Sequence, residues 1–135
     1  MSHSETMRTA YDRINAGDID GFGDMIADDF AEHEDMGDAA AGKAGVLDFF
    51  RSLRSAFPDL RMEVEDVIAE GDKAVARFRA TGTHQGEFMG IPPTGRSVDI
   101  AGIDIMRFDG AGLVCEHWGV TDTMAMMQQL GVVPE

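Results

Sequence analysis

Cysteine is almost absent from this sequence, in which Cys115 is the only one among 135 residues. A single thiol cannot form an intrachain disulfide, so the chain does not depend on an oxidising compartment. A nucleophilic role for Cys115 is formally open. The residue lies inside a strand pattern, however, where a free cysteine is usually a small buried side chain, and we interpret it as structural.

Positive charge is also scarce, because 11 Lys and Arg residues stand against 25 Asp and Glu residues and leave a formal net charge of -14. Such a field repels phosphate backbones and anionic lipid surfaces, so neither nucleic acid nor a membrane is expected as a partner. No stretch approaches the roughly 20 apolar residues that a membrane span needs, and the polar start of the chain lacks the apolar core of a targeting signal. The expected location is the cytoplasm.

The length and composition are typical of one globular domain, which we expect to cover residues 1–135. Apolar residues make up 44% of the chain and charged residues 27%, as in ordinary globular proteins. Apolar spacings of three and four predict three helices in the first part of the chain: residues 3–16, a short helix capped by Asp18 that includes Met25 and Ile26, and Lys43 to Phe57. Between the last two, residues 28–35 are expected to be extended or irregular, and Met36 to Gly42 a loop.

Most of the remaining sequence alternates apolar and polar residues, as strands do. A first strand carries Leu60, Met62 and Val64 on one face, and a turn at residues 70–72 joins it to a second strand at 73–83. After a proline-containing loop from His84 to Arg96, the last elements are strands at Ser97–Phe108 and Leu113–Thr121 and a short helix capped by Asp122. Helices followed by a meander predict an α+β fold with a mixed, mostly antiparallel sheet.

Three segments resemble a known family: Gly82 to Arg96, which contains Gly-Ile-Pro-Pro-Thr-Gly, then Glu116-His-Trp118, and finally Gln128 to Gly131. With their order and spacing, the chain resembles the SnoaL-like polyketide cyclases, or ester cyclases, of the nuclear transport factor 2-like superfamily. The resemblance implies a cone-shaped, curved sheet wrapped around the N-terminal helices, a cystatin-like roll. It also implies a homodimer, or a higher oligomer, packed through the sheet. It also implies an aldol-type ring closure of a polyketide by acid-base side chains, without a metal or an organic cofactor.

Asp104 and His117 are the candidate catalytic residues. An aldol closure needs a base for a proton next to a carbonyl group and a donor for the charge that develops on oxygen. Alternation along two neighbouring strands defines two faces: Gly102, Asp104 and Met106 on one strand, and Cys115, His117, Gly119 and Thr121 on the other. If both faces point into the cone, Asp104 and His117 can meet across the hairpin. The alternative is a solvated Asp104, with its isoleucine neighbours facing the core.

The resemblance bears on the same positions. His117 matches a histidine that lines the cyclase cavity, and Gly119 stands where a cyclase of the family carries its acid-base Asp. Because Gly cannot transfer a proton, the role has either moved to Asp104 or been lost. Three functions stay open: a cyclase-like enzyme with Asp104 as general base and His117 as proton donor or oxyanion stabiliser, an isomerase or hydratase, and a protein that binds a small apolar ligand without turnover.

Further residues are candidates for binding the substrate: His33, Tyr11, Phe57, Phe78, Trp118 and Asp122. Tyr11 resembles an aromatic residue of the first helix that points into the cavity in relatives, and His33 can reach the cavity mouth. The other aromatic residues can form the pocket wall or ordinary core, and Asp122 can serve only as a helix cap. His84 is expected to support the proline loop. Neither His33 nor His84 has metal-ligand spacing with another His or Cys, so no metal site is expected.

Overall fold

The computed structural model describes residues 1–34 and 42–134, so most of the predicted loop at Met36 to Gly42 lies outside the described residues. The elements in chain order are α1 (His3–Asn15), α2 (Ile19–Gly23), β1 (Ile26–Glu32), α3 (Lys43–Ala56), β2 (Arg61–Glu70), β3 (Lys73–Thr83), β4 (Ser97–Phe108), β5 (Val114–Thr121) and α4 (Thr123–Leu130).

The five strands form one sheet in the order β1-β5-β4-β3-β2. Neighbouring strands are antiparallel except for β1, which runs parallel to β5. The sheet is open, with β1 and β2 at its edges. The predicted α+β fold with a mixed, mostly antiparallel sheet is therefore confirmed.

The helix ends follow the predicted capping residues. The carboxylates of Asp18 and Asp122 accept hydrogen bonds from backbone N–H groups in the first turns of α2 and α4. Gly17 and Gly131 follow α1 and α4 with φ of 77° and 78°, a left-handed conformation that glycine adopts without strain. Among the residues that the structure describes, no helix combines the length and the apolar character that crossing a membrane would require.

The prediction that the second helix includes Met25 and Ile26 is wrong. The α2 helix ends at Gly23, and Ile26 begins β1 opposite Val114. Apolar residues spaced by three and four in so short a segment fit both a helix and a buried strand. Pairing with β5, which lies far away in the sequence, decides in favour of the strand.

The α1 helix packs against the inner face of β2 and β3 and positions Tyr11. Its predicted apolar face is buried, with Met7, Tyr11 and Ile14 each at most 2% exposed. At its C-terminal end, the side-chain amide of Asn15 donates to the carbonyl of Met62 at 2.9 Å and accepts from the Met62 N–H at 2.7 Å. This two-point contact fixes the end of α1 on the first residues of β2.

The two faces of β3 separate as their alternation predicts. Ala74, Ala76 and Phe78 are buried on the inner face. On the outer face, Arg77 pairs with Glu65 at 3.2 Å and Arg79 with Asp99 at 2.8 Å. The inner face therefore supplies the wall of a cavity, and the outer face stays accessible in the single chain.

Candidate active site

A mostly apolar cavity of about 200 Å³ lies between the helices and the inner face of the sheet. Its wall includes three of the residues expected from the sequence, namely Tyr11, Phe57 and Phe78. Its polar lining includes Glu32, Glu34, Asp104, His117 and Thr121. A pocket with an apolar wall and a small convergent polar group is the usual form of a small-molecule site.

Asp104 faces this cavity beside His117. The carboxylate Oδ1 of Asp104 lies 2.8 Å from Nε2 of His117. The neighbouring Ile103 is 47% exposed on the opposite face, whereas Asp104 is 8% exposed. Asp104 therefore lies on the inner face of β4 and Ile103 on its outer face. The alternative prediction, a solvated Asp104 with its isoleucine neighbours facing the core, is excluded.

Glu32 contacts the other side of the His117 ring, because the parallel pairing of β1 with β5 sets these two residues opposite each other. Its Oε1 accepts a hydrogen bond from Nδ1 of His117. Burial by itself lowers the pKa of His117, but the hydrogen bonds to Asp104 and Glu32 outweigh it and raise the pKa to about 10. His117 is therefore an imidazolium that donates from both ring nitrogens.

Tyr11 completes the surroundings of Asp104 from α1. Its hydroxyl donates to Oδ2 of Asp104. Burial, followed by the negative charge of Asp104, raises the pKa of Tyr11 far above its ordinary value, so the phenol keeps its proton. Each oxygen of the Asp104 carboxylate thus accepts one hydrogen bond.

Glu34 adds a third carboxylate that sequence reasoning missed. Its Oε2 accepts a hydrogen bond from the hydroxyl of Thr121 at 3.2 Å. Burial, and then the charge of Asp104, raises the pKa of Glu34. Glu34 and Glu32 were both missed because periodicity does not reveal that two strands distant in sequence pair in parallel. The available signal was the acidic run at 28–35, in which Glu32 and Glu34 share a strand parity.

Glu32, Glu34 and His117 also offer one potential metal-ligand atom each, all within 4.8 Å of one another. Both His117 nitrogens already donate to carboxylates, however. A metal ion would have to displace a proton from an imidazole whose pKa is about 10. The arrangement fits proton sharing better than metal binding.

Three predicted substrate-binding residues lie outside the cavity, which corrects their expected positions. The ring of His33 stacks on Trp118 with 4.9 Å between centroids, and its Nε2 lies 2.8 Å from Glu116. Trp118 pairs with Ile105 on the outer parity of the sheet, opposite to that of His117. Asp122 accepts from the N–H of Ala125 at 3.0 Å, which is the helix-cap role.

The prediction that Cys115 shares the cavity face of β5 with His117 is wrong. The pairing register shifts between Arg107 and Phe108, so Val114 instead of Cys115 lines the cavity. Cys115 is buried, its thiol donates to the carbonyl of Arg107 at 3.4 Å, and burial raises its pKa. This environment agrees with a structural thiol.

His84 is fully buried and holds the proline loop through Thr94, Gly95 and Arg96.

The open, curved sheet around α1 and the cavity inside it define an α+β cone of the nuclear transport factor 2-like class. Within that class, the model of the SnoaL-like polyketide cyclase family matches residues 5–130. The chain therefore belongs to the SnoaL-like polyketide cyclase family, as the resemblance of its segments implies.

Solved structures agree with this assignment. IdmH from Streptomyces antibioticus, provisionally described as a polyketide cyclase, is 33% identical with a TM-score of 0.85, and the match covers 97% of this chain and 99% of that one. AclR from Streptomyces galilaeus, provisionally described as a hydroxylase, is 30% identical with a TM-score of 0.87 over 98% of this chain and 83% of that one. TsrD from Streptomyces laurentii is 29% identical with a TM-score of 0.86 over 96% and 94%. No curated protein matches the chain significantly.

Proposed function

We propose that the protein is a cofactor-independent, cyclase-like enzyme that closes a ring in a small polyketide or a related carbonyl compound. The observation that carries the proposal is the Asp104 carboxylate, which lines an apolar cavity and lies 2.8 Å from the His117 imidazolium. A pocket that only binds an apolar ligand has no need of such a buried ionic group.

In the proposed reaction, Asp104 is the general base and His117 the electrostatic stabiliser. Asp104 removes a proton from a carbon flanked by carbonyl groups, and the negative charge moves from the carboxylate to the enolate oxygen. The His117 imidazolium lies beside both positions of that charge, so the transfer requires little reorganisation. Because both His117 nitrogens already donate, we assign it to charge stabilisation instead of proton delivery.

The cavity size bears on the substrate. Pockets for drug-sized ligands usually measure about 300–1,000 Å³, and this cavity of about 200 Å³ lies below that range. A substrate with one or two rings fits this volume better than a large polycyclic one. An isomerase or hydratase on the same scaffold would use the same first proton transfer, and product analysis separates these reactions from cyclisation.

The wild-type protein should accelerate two reactions of a synthetic triketone, which carries an activated methylene between two carbonyls and a third carbonyl placed to close a six-membered ring. In D₂O, NMR measures deuterium exchange at the methylene, and chromatography measures the cyclised aldol, both after subtraction of the buffer rate. We expect enhancement of both rates, unchanged by a chelator. The variant His33→Ala, which alters a histidine outside the cavity, should behave like wild type. Binding of the triketone without either reaction would favour the ligand-binding alternative.

We also propose a homodimer packed through the outer face of the sheet. That face exposes Ile103 and Val120 at 47% and 76%, and Met124 of the neighbouring α4 is 63% exposed. Ile103 pairs with Val120 on adjacent strands beside Arg77. An exposed apolar patch of this kind is a common protein interface. The wild-type protein should sediment as a dimer at micromolar concentration and the double variant Ile103→Asp/Val120→Asp as a folded monomer. A monomeric wild type contradicts the proposal.

The cytoplasmic location and the single domain over 1–135 stay predictions.

A further inference from the structure

Gly119 lies at a point in the cavity on which three polar side chains converge. A Cβ atom placed on this residue would lie less than 3.0 Å from Oε1 of Glu34, Cε1 of His117 and Oδ1 of Asp104. The three side chains therefore leave no room for a larger residue at this point unless they shift. The Asp104 carboxylate approaches this point from β4 and the Glu34 carboxylate from the segment just after β1, and these two elements lie on either side of β5.

The charges around the point beside Gly119 favour a protonated Glu34. The groups that face it are Asp104 from β4, His117 from β5, Glu32 from the end of β1 and Tyr11 from α1, whose phenol is neutral. His117 supplies one positive charge against the two carboxylates that it contacts, Glu32 and Asp104. A third ionised carboxylate would add uncompensated charge, in agreement with the direction in which burial and Asp104 move the Glu34 pKa.

We infer that Glu34 is a third catalytic residue, the general acid that protonates the oxygen of the attacked carbonyl group during ring closure. This inference rests on the proposed function. Asp104 takes the methylene proton, and the electron pair of that C–H bond forms the new bond to the ketone carbon. The π pair of the ketone moves to its oxygen, which takes the Glu34 proton and becomes a hydroxyl group. The proton then returns from Asp104 to Glu34, whose carboxylates converge beside Gly119, and nothing is consumed.

The variant Glu34→Gln separates this step from the first proton transfer. The amide keeps the size of the side chain but does not act as the acid, so we expect triketone cyclisation to fall by about 100-fold or more. Deuterium exchange depends on Asp104 and should stay close to the wild-type rate. Glu63→Gln removes an exposed carboxylate of the same size from β2 and should leave both rates unchanged.

The outcomes distinguish this inference from the proposed function. Retained cyclisation in Glu34→Gln overturns the role of Glu34, and so does an equal loss of both reactions, which would place Glu34 in the first step or in the structure. A wild-type protein without exchange activity overturns the proposed function itself.

A relocated acid provides a second test that does not depend on Glu34→Gln. Glu34→Ala removes the closest of the three contacts that a Cβ at position 119 would make, and adding Gly119→Asp places a new carboxyl group there after small shifts of the His117 and Asp104 side chains. The double variant should cyclise the triketone at least tenfold faster than Glu34→Ala alone. A double variant that is folded and exchanges deuterium, but cyclises no faster, contradicts an acid at this position.

Discussion

Replacement of Asp104 with Asn is expected to lower the rate of deuterium exchange into the triketone by about 10²- to 10⁴-fold, the usual contribution of a general base. An amide cannot take the methylene proton. It also accepts through only one atom, whereas the carboxylate accepts from both Tyr11 and His117. We therefore expect loss of the reaction together with a modest loss of stability, of about 1–3 kcal/mol for one unsatisfied buried partner.

Tyr11→Phe is the matched control for this variant. It removes one hydrogen bond to Asp104 but keeps the carboxylate beside His117. A hydrogen bond to a charged group is worth about 1.5–3 kcal/mol, so exchange should fall by no more than about 10- to 100-fold and by less than in Asp104→Asn. Thermal unfolding of both variants checks that the fold is intact. Exchange at the wild-type rate in a folded Asp104→Asn variant would contradict the role of Asp104 as base, and Glu34 would then become the candidate.

Local patterns were sufficient to predict much of this fold. Strand alternation placed Asp104 and His117 on faces that meet. Residues two apart along a strand lie on the same side of the sheet, so each strand's inner face can be predicted from its sequence. Capping chemistry predicted the roles of Asp18 and Asp122 in the same way. These features depend on residues that are close in sequence or joined by a short hairpin.

Features that depend on distant pairing could not be predicted. Glu32 reaches His117 only because β1 adds to the sheet edge parallel to β5, and no periodicity in residues 26–32 specifies that neighbour. The shift in register near Phe108 likewise exchanged the expected positions of Val114 and Cys115. His33 directly follows β1, and its position is set by stacking on Trp118 of β5, which also depends on that distant pairing.

The largest effect on stability is expected from His117→Ala, which removes the cation between Glu32 and Asp104. The side chains of these two residues are 1% and 11% exposed, so both carboxylates would lose their charged partner away from water, and Asp104 would keep only the hydrogen bond from Tyr11. Breaking a buried ion pair in this way typically costs about 3–5 kcal/mol. Urea unfolding at pH 6 should register a decrease of that size in the free energy of unfolding. His33→Ala, at an exposed pair with Glu116, should change it by less than about 1 kcal/mol.

The pH dependence of the His117→Ala effect tests the charge of the ring. The pKa of His117 rises from 6.5 to about 10 on folding, so its stabilisation is fully present below pH 6.5 and is lost as the pH rises through about 10. The difference in unfolding free energy between wild type and His117→Ala should therefore decrease between these two pH values. Adding Glu32→Gln to His117→Ala should recover part of the loss, because one unpaired buried charge is removed. A difference that stays constant over this range would mean that folded His117 is neutral, and the proposed enolate would then lack its stabilising cation.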